Sequence, residues 1–514
     1  MLCARHRDEN MSMVRTAIAK AQIVKAHIAR IKIAKIKIPK AQARVSRATP
    51  EALSDGVPEP VAAAPAKSHR PPPSLWWPIL RFALPQGASA ALQLLSGTVT
   101  AVYFGQFLGV STLAAASVFF PVFFLLISFL IGLISGGIVL VARAYGAGDM
   151  LAVKDVAGTT LCASVSLSLV MSIIGYAFVP ELLGVMSTPA DILASAIDYA
   201  RITFVSLPAQ IILLSYVFLL RGTGDAKTPF ILMAVFFGIS LLLMPALILG
   251  WGGLPKLGVT SAPWASIGAT AISLPGLILY LRRKQHPLVL DGELIRRLRI
   301  NREVIRPFLV IGIAGGIQAT VASLAEVAVV TLVNSFGSNA TAAYGAINQV
   351  IGYLVVPMQA VGLAASVMAA QAIGAKRLGQ PHLIAQIAAI MNVLIGAVSV
   401  AGLLGFADGI LSWFVTDATT SAVAERALRM MLWSYILTGI SDVLAGVMRA
   451  SGTVAWPTLI SLGGIWLVQV PVAYLLAGTA GLDGVWMGYP AGFLAALLAQ
   501  SAYYGLVWRS RKIG

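Results

Sequence analysis

Two acids stand where hydrocarbon is expected. Glu326 sits in the middle of "TVASLAEVAVVTLVNSFG" (320–337), a run with no Lys or Arg, and Asp442 lies inside a second apolar stretch. An ionised side chain deep in hydrocarbon costs several kcal/mol, so an acid kept there is read first as a functional group. A carboxyl group withdrawn from water exchanges its proton closer to neutrality. Two carboxylates with neighbouring amides also suit a hard cation such as Na+. The competing readings are an acid hydrogen-bonded to a neighbouring helix for Glu326 and a helix-end residue reaching interfacial water for Asp442. Weaker polar candidates for the same cavity are Gln93 and Thr100, Gln318, and Tyr344, Asn348 and Gln349, since amides also glue helices together. Met358, Met368 and Trp433 would suit an adaptable apolar pocket, although core packing accounts equally well for any one of them.

The elements that must carry these residues follow from composition. The chain has 514 residues, 58% hydrophobic and 11% charged, with mean hydropathy +0.85, against about 25% charged residues in a soluble domain. This is an all-α polytopic membrane protein. With about 20 apolar residues needed per span, twelve candidates emerge: 79–104, 113–142, 156–179, 193–220, 229–250, 259–281, 307–333, 341–373, 383–407, 424–448, 455–477 and 484–507. With the amino terminus inside, the inner loops collect Arg143, Arg221, Arg282, Arg283, Lys284, Arg296, Arg297, Arg299, Lys376 and Arg449, and the outer loops keep only Lys256 as a clear exception. Both termini are therefore expected to be cytoplasmic. Of twenty Asp and Glu, five precede the first span and nearly all others fall in loops or near span ends. Glu326 lies about 15 Å inward from Phe336, and Asp442 about 10 Å inward from Arg449, at 1.5 Å per residue.

The first 74 residues belong to another regime. From Ile18 to Lys40 a period of five sets Ile18, Ile23, Ile28, Ile33 and Ile38 against Lys20, Lys25, Arg30, Lys35 and Lys40, which matches neither helix nor strand. It reads as a low-complexity extension rather than a lipid-binding arm, followed by a Pro/Ala-rich linker. No signal peptide is expected. Because no span begins before residue 75, deleting residues 2–68 should leave membrane insertion and transport intact. Loss of inserted protein in a fractionation blot would refute the linker reading.

An internal repeat follows. "RAYGAGD" (143–149) aligns with "QAIGAKR" (371–377), "RGTGDAKTPF" (221–230) with "RASGTVAWPT" (449–458), and Gly109/Ala114/Ala115 with Gly337/Ala342/Ala343, all at an offset of 228. Two six-span halves of like orientation, 75–282 and 307–509, are expected, joined by a basic cytoplasmic loop at 283–306 and ending in a tail at 510–514. Such repeats characterise secondary transporters, with the binding site between the halves. The glycines of these motifs, Gly146, Gly148, Gly222 and Gly224, read as tight turns, and Arg143, Arg221 and Arg449 as helix caps or headgroup anchors.

These residues resemble the multidrug and toxic compound extrusion (MATE) family, within the larger group that includes oligosaccharide and lipid flippases. The carriers are "LAAASVFFPVFFLLISFLIGLISGGIVLVARAYGAGD", "LPAQIILLSYVFLLRGTGDAKTPF", "AAYGAINQVIGYLVVPMQAVGLAASVMAAQAIGAKR" and "VMRASGTVAWPT", and the resemblance covers about 79–510. It implies export of amphipathic, cationic organic compounds by H+ or Na+ antiport, with Glu326 and Asp442, on the seventh and tenth helices, as ion-coupling acids. Each is about one turn from the family's spacing to its loop anchor. Where many members carry an Asp on the first helix this chain has Thr100, so a carboxylate mechanism in the first half is not expected. The resemblance and composition together imply a plasma (bacterial inner) membrane protein, monomeric, with a small-molecule substrate, no nucleic acid partner, no enzyme activity, and no cofactor or metal beyond the coupling ion. The rival is a flippase of lipid or lipid-linked oligosaccharide, which would need a cationic cavity; Arg201, Arg426 and Arg429 are its nearest candidates, all near span ends. A membrane enzyme is disfavoured by the absence of HExxH, GxSxG or a His/Asp cluster in the spans. Cys3 and Cys162 allow no disulfide framework.

Overall fold

A computed structural model describes residues 75–510 apart from 187, 407–408 and 410–416. The expectations for the 1–74 extension and for most of the carboxyl tail lie outside the described residues. Long helices follow one another: α1 Trp76–Tyr103, α2 Val110–Gly146, α3 Met150–Val185, α4 Ala190–Gly222, α5 Lys227–Leu249, α6 Ser261–Arg283, α7 Arg302–Asn334, α8 Ser338–Gly374 and α9 Gln380–Gly405. α10 comprises Ala418–Met431 and Tyr435–Ala450 joined by a 3-10 turn. The last helical segment, Ala455–Trp508, breaks at Gly481, whose φ of 61° is left-handed. Residues on its two sides pack in antiparallel register, Gly464 against the Gly492 carbonyl and Gly488 against that of Gln469, too close for a Cβ on either glycine. We label them α11 (455–480) and α12 (482–508).

Among the described residues ten helices are long and apolar enough to cross a membrane, with Ala455–Trp508 taken as one and Trp76–Tyr103 not among them. α1 falls short because Gln86, Gln93 and several small polar residues dilute its apolar content. The helices also outrun the sequence-derived spans, because hydropathy marks only the apolar stretch whereas caps set the ends. Asp149 accepts from the Ala152 amide, Asn301 from Glu303 and Asp417 from Thr420, each satisfying an orphan first-turn N–H.

The repeat is written into the backbone. Gly109 and Gly337, Gly224 and Gly452, and Gly148 and Lys376 all have positive φ, so each aligned pair turns the chain alike. Gly146 and Gly222 are not turns but close approaches. A Cβ on Gly146 would strike the Gln371 carbonyl, and one on Gly374 would strike that of Arg143. Side chains repeat the reciprocity: Arg143 donates through Nε to the Ala450 carbonyl at 2.7 Å, and Gln371 through Nε2 to the Gly222 carbonyl at 3.0 Å. The partners in these two pairs are related by the same offset of 228. Arg143 thus caps a helix of the opposite half.

The loop between α6 and α7 is docked rather than loose. Its short helix Gly292–Arg296 is capped by Asp291, and Lys154 at the start of α3 bridges Asp291 and Glu293 at 2.6 Å each. Arg297 pairs with Asp155 at 2.6 Å, and Gly158 leaves room for the Arg297 carbonyl. At the loop's start buried His286 accepts from the Leu288 amide through Nδ1 and faces the Thr223 hydroxyl at 3.3 Å. Burial pushes this imidazole below the ordinary histidine range, because the charged form would lose its water.

Candidate functional site

Packing separates one end of the bundle from the other. Near the 146/374 end a single apolar cluster joins both halves, with Ile79, Ile138, Val139 and Ala142 against Val361, Ala364, Val367 and Ala370. Toward the other end the clusters divide: Val333, Ala343, Tyr344 and Trp486 belong to the second half alone, and Ala115, Phe119, Val179 and Leu183 to the first. Eighteen residues are five helical turns at 3.6 per turn, so positions that far apart share a face. On α2, Phe120, Pro121 and Phe124 stand on the face that buries Ile138, Val139 and Ala142, yet they are exposed, Phe120 to 63%. On α8, Asn348 is exposed and Gln349 and Gly352 are half-buried on the face that carries Ser366, Val367 and Ala370. The faces that close against each other at one end therefore open onto a cleft at the other.

Glu326 opens into this cleft. It lies three turns beyond Gly315, whose face meets Gly132 of α2, and it is exposed despite its place in mid-helix. The buried Tyr344 hydroxyl donates to Glu326 Oε2 at 2.7 Å, the Tyr489 hydroxyl lies 3.5 Å from the same oxygen, and the two hydroxyls are 3.2 Å apart. Tyr344 stacks on Trp486 at 6.0 Å, and Tyr489 and Tyr435 both meet Phe493 edge-on. α7 is itself tied to α11 by Trp466 Nε1 to the Val321 carbonyl and Tyr474 hydroxyl to the Ala328 carbonyl, both 3.1 Å.

Asp442 belongs to a second polar group. It is half-buried in α10, two turns from Arg449 on one face, and the guanidinium charge acts on it. Arg449 donates to Gln318 Oε1 at 3.0 Å, where the Thr458 hydroxyl also points at 3.4 Å. Gln318 is thus placed with Asp442's counter-charge rather than with Glu326, and Arg449, read from sequence as a cap, is an interior partner. Tyr435, Asp442 and Arg449 fall at heptad spacing along α10, so one stripe carries both groups. On α1, Gln93 is exposed and Thr100 half-buried, and Thr98 stands where the second half has Glu326. Tyr489 and Trp486 were not singled out from sequence, where an aromatic in an apolar run gives no signal of its partner. Of the cationic candidates, Arg426 pairs with Asp483, Arg429 with Glu425, and Arg201 lies over the Tyr176 ring. Among the described residues no group of three or more His, Cys, Asp or Glu is disposed to hold a metal ion.

The MatE family model matches residues 85–246 and 317–475, one match in each half of the repeat. The "Probable multidrug resistance protein YoeA" of Bacillus subtilis is 41% identical over 443 residues, covering 86% of this chain and 96% of that protein. The "Multidrug export protein MepA" of Staphylococcus haemolyticus is 25% identical, covering 84% and 94%. In fold, a crystallised Vibrio cholerae MATE transporter, VcmN, superposes with a TM-score of 0.79 at 21% identity, over 86% of this chain and 98% of the other.

Proposed function

The chain belongs to the MatE family, and from that premise we propose that it exports amphipathic organic cations across the cytoplasmic membrane by antiport with H+ or Na+. The observation that carries this reading is the uncovered carboxylate of Glu326, held by Tyr344 on one wall of the cleft, opposite Phe120 and Phe124 on the other. A cation with an apolar body finds a charge on one side and aromatic faces on the other. A coupling ion and the substrate compete for one acid, so binding of either expels the other. Exchange then follows if the protein changes state only when the acid is occupied, since an ion drives the lobes through its unequal affinity for the two states. Asp442 is the second coupling acid in this reading, within the field of Arg449, which Gln318 engages.

The architecture we propose is twelve spans in two six-helix lobes, 75–282 and 307–509, both termini cytoplasmic, the cleft open to the outside and the protein acting as a monomer in the lipid bilayer. The reversal at Gly481, the paired turns and the reciprocal contacts of Arg143 and Gln371 support it. No Lys or Arg stands among the cleft-wall residues named above, which favours a cationic substrate over the anionic headgroup of a flippase substrate. The test is efflux of a cationic dye from a pump-deficient bacterial host, with Na+ and pH gradients imposed separately. Efflux that follows one of the two gradients is expected; a dye level identical to the empty-vector host under both would refute the proposal.

A further inference from the structure

The repeat places arginines in register but acids in one half only. Arg221 and Arg449 are equivalent, as are Arg201 and Arg429. In the second half Arg429 pairs with Glu425, and the charge of Asp442 acts on Arg449, whose guanidinium donates to Gln318. In the first half the positions equivalent to those acids are Leu214 and Ile197, and the arginines lie over aromatic rings instead, Arg221 over Phe218 and Arg201 over Tyr176, both at 5.3 Å. Arg221 is the sharper case. It is only 7% exposed, its Nε has no partner, and its guanidinium makes no ion pair among the described residues. A guanidinium stays charged at any physiological pH, and a buried charge without a counter-charge is costly. On α1, Gln86 carries a second buried orphan, Oε1, one turn from Ala90, which stands where the second half has Gln318. Both orphans lie toward the bundle end where the basic loops gather, the level of lipid headgroups.

The geometry points to an anion site in the first half, built on Arg221 and taking a phosphate group, from a lipid headgroup or from solution. A planar guanidinium matches phosphate oxygens bidentately. The site is separate from the cleft chemistry of Glu326, so its failure leaves the export proposal standing.

The experiment measures the melting temperature of the full-length protein in neutral detergent against rising inorganic phosphate, phosphatidylglycerol or, as a phosphate-free control, diacylglycerol. The wild type should be stabilised by a phosphate-bearing probe and not by diacylglycerol; a response to inorganic phosphate identifies a soluble ligand, and a response to the lipid alone a headgroup. Arg221→Gln should weaken the half-saturating concentration at least about tenfold, the loss of one charge-assisted contact. Arg283→Gln, which removes an exposed cation at the end of α6, should respond as the wild type. Leu214→Asp installs the acid that the second half already has; it should raise the melting temperature without any probe and abolish the response. Equal dose-dependence in the wild type and Arg221→Gln, a response retained in Leu214→Asp, or no response to either phosphate-bearing probe would overturn the site.

Discussion

Glu326→Gln should insert at wild-type levels and fail to concentrate substrate. The amide keeps the shape of the acid and still accepts from the Tyr344 hydroxyl, so the contact that orders α7 against α8 at 2.7 Å persists. What it loses is the charge that binds a cation and the ability to exchange a proton. A tenfold ion gradient supplies about 1.4 kcal/mol per ion, or up to about tenfold substrate accumulation for each coupled ion; the variant should fall to equilibration. Substrate binding is expected to survive in part, because the aromatic wall at Phe120 and Phe124 is untouched. Asp442→Asn should impair accumulation too. If both acids serve one ion, the double variant is little worse than Glu326→Gln alone. Full gradient-dependent accumulation in Glu326→Gln would remove the acid from the coupling mechanism.

The second large effect is expected at the closed end. In Gly146→Ala the new methyl group meets the backbone carbonyl of Gln371, and in Gly374→Ala that of Arg143; neither carbonyl can rotate away as a side chain would. Overpacking of this kind costs about 1–3 kcal/mol, and because only the closed form has the clash, the equilibrium should shift about 5- to 150-fold toward separation of the halves at this end. Spin labels at Lys227, the first residue of α5, and Arg377, on the turn after α8 of the opposite half, should report a longer distance, and transport should fall. Gly148→Ala is the control: it meets nothing within 4 Å, although its φ of 76° makes the substitution strained locally. Unchanged distances and transport in both Gly146→Ala and Gly374→Ala would show that this contact does not hold the halves together.

Most of the helices were legible in the sequence as apolar runs, and the paired turns as motifs recurring at a constant offset of 228. Glu326 was legible as an anomaly within its own run. Its partners were not, since Tyr344 lies on the next helix and Tyr489 is 163 residues away, and nothing local tells a packing aromatic from one that serves a carboxylate. The same limit hid the role of Arg449, whose place beside the helix-end glycines looked like capping until Gln318 appeared opposite it. The motif glycines misled in part: Gly148 and Gly224 are turns, whereas Gly146 and Gly222 are helical and conserve space for the other half or the neighbouring helix. A turn glycine and a close-approach glycine look alike in sequence, because both exploit the missing Cβ. The docked loop between α6 and α7 was equally invisible, as its ion pairs join residues more than a hundred positions apart.

The measurement that bears most directly on the central claim is uptake of a cationic dye into vesicles containing only the purified protein, with a proton or Na+ gradient imposed as the sole energy source. Dye should accumulate against its own gradient under at least one of the two ions, collapse when an ionophore dissipates that gradient, and merely equilibrate in Glu326→Gln vesicles. Dye movement that is the same with and without either ion gradient, or accumulation undiminished in Glu326→Gln, would contradict a carboxylate-coupled antiporter.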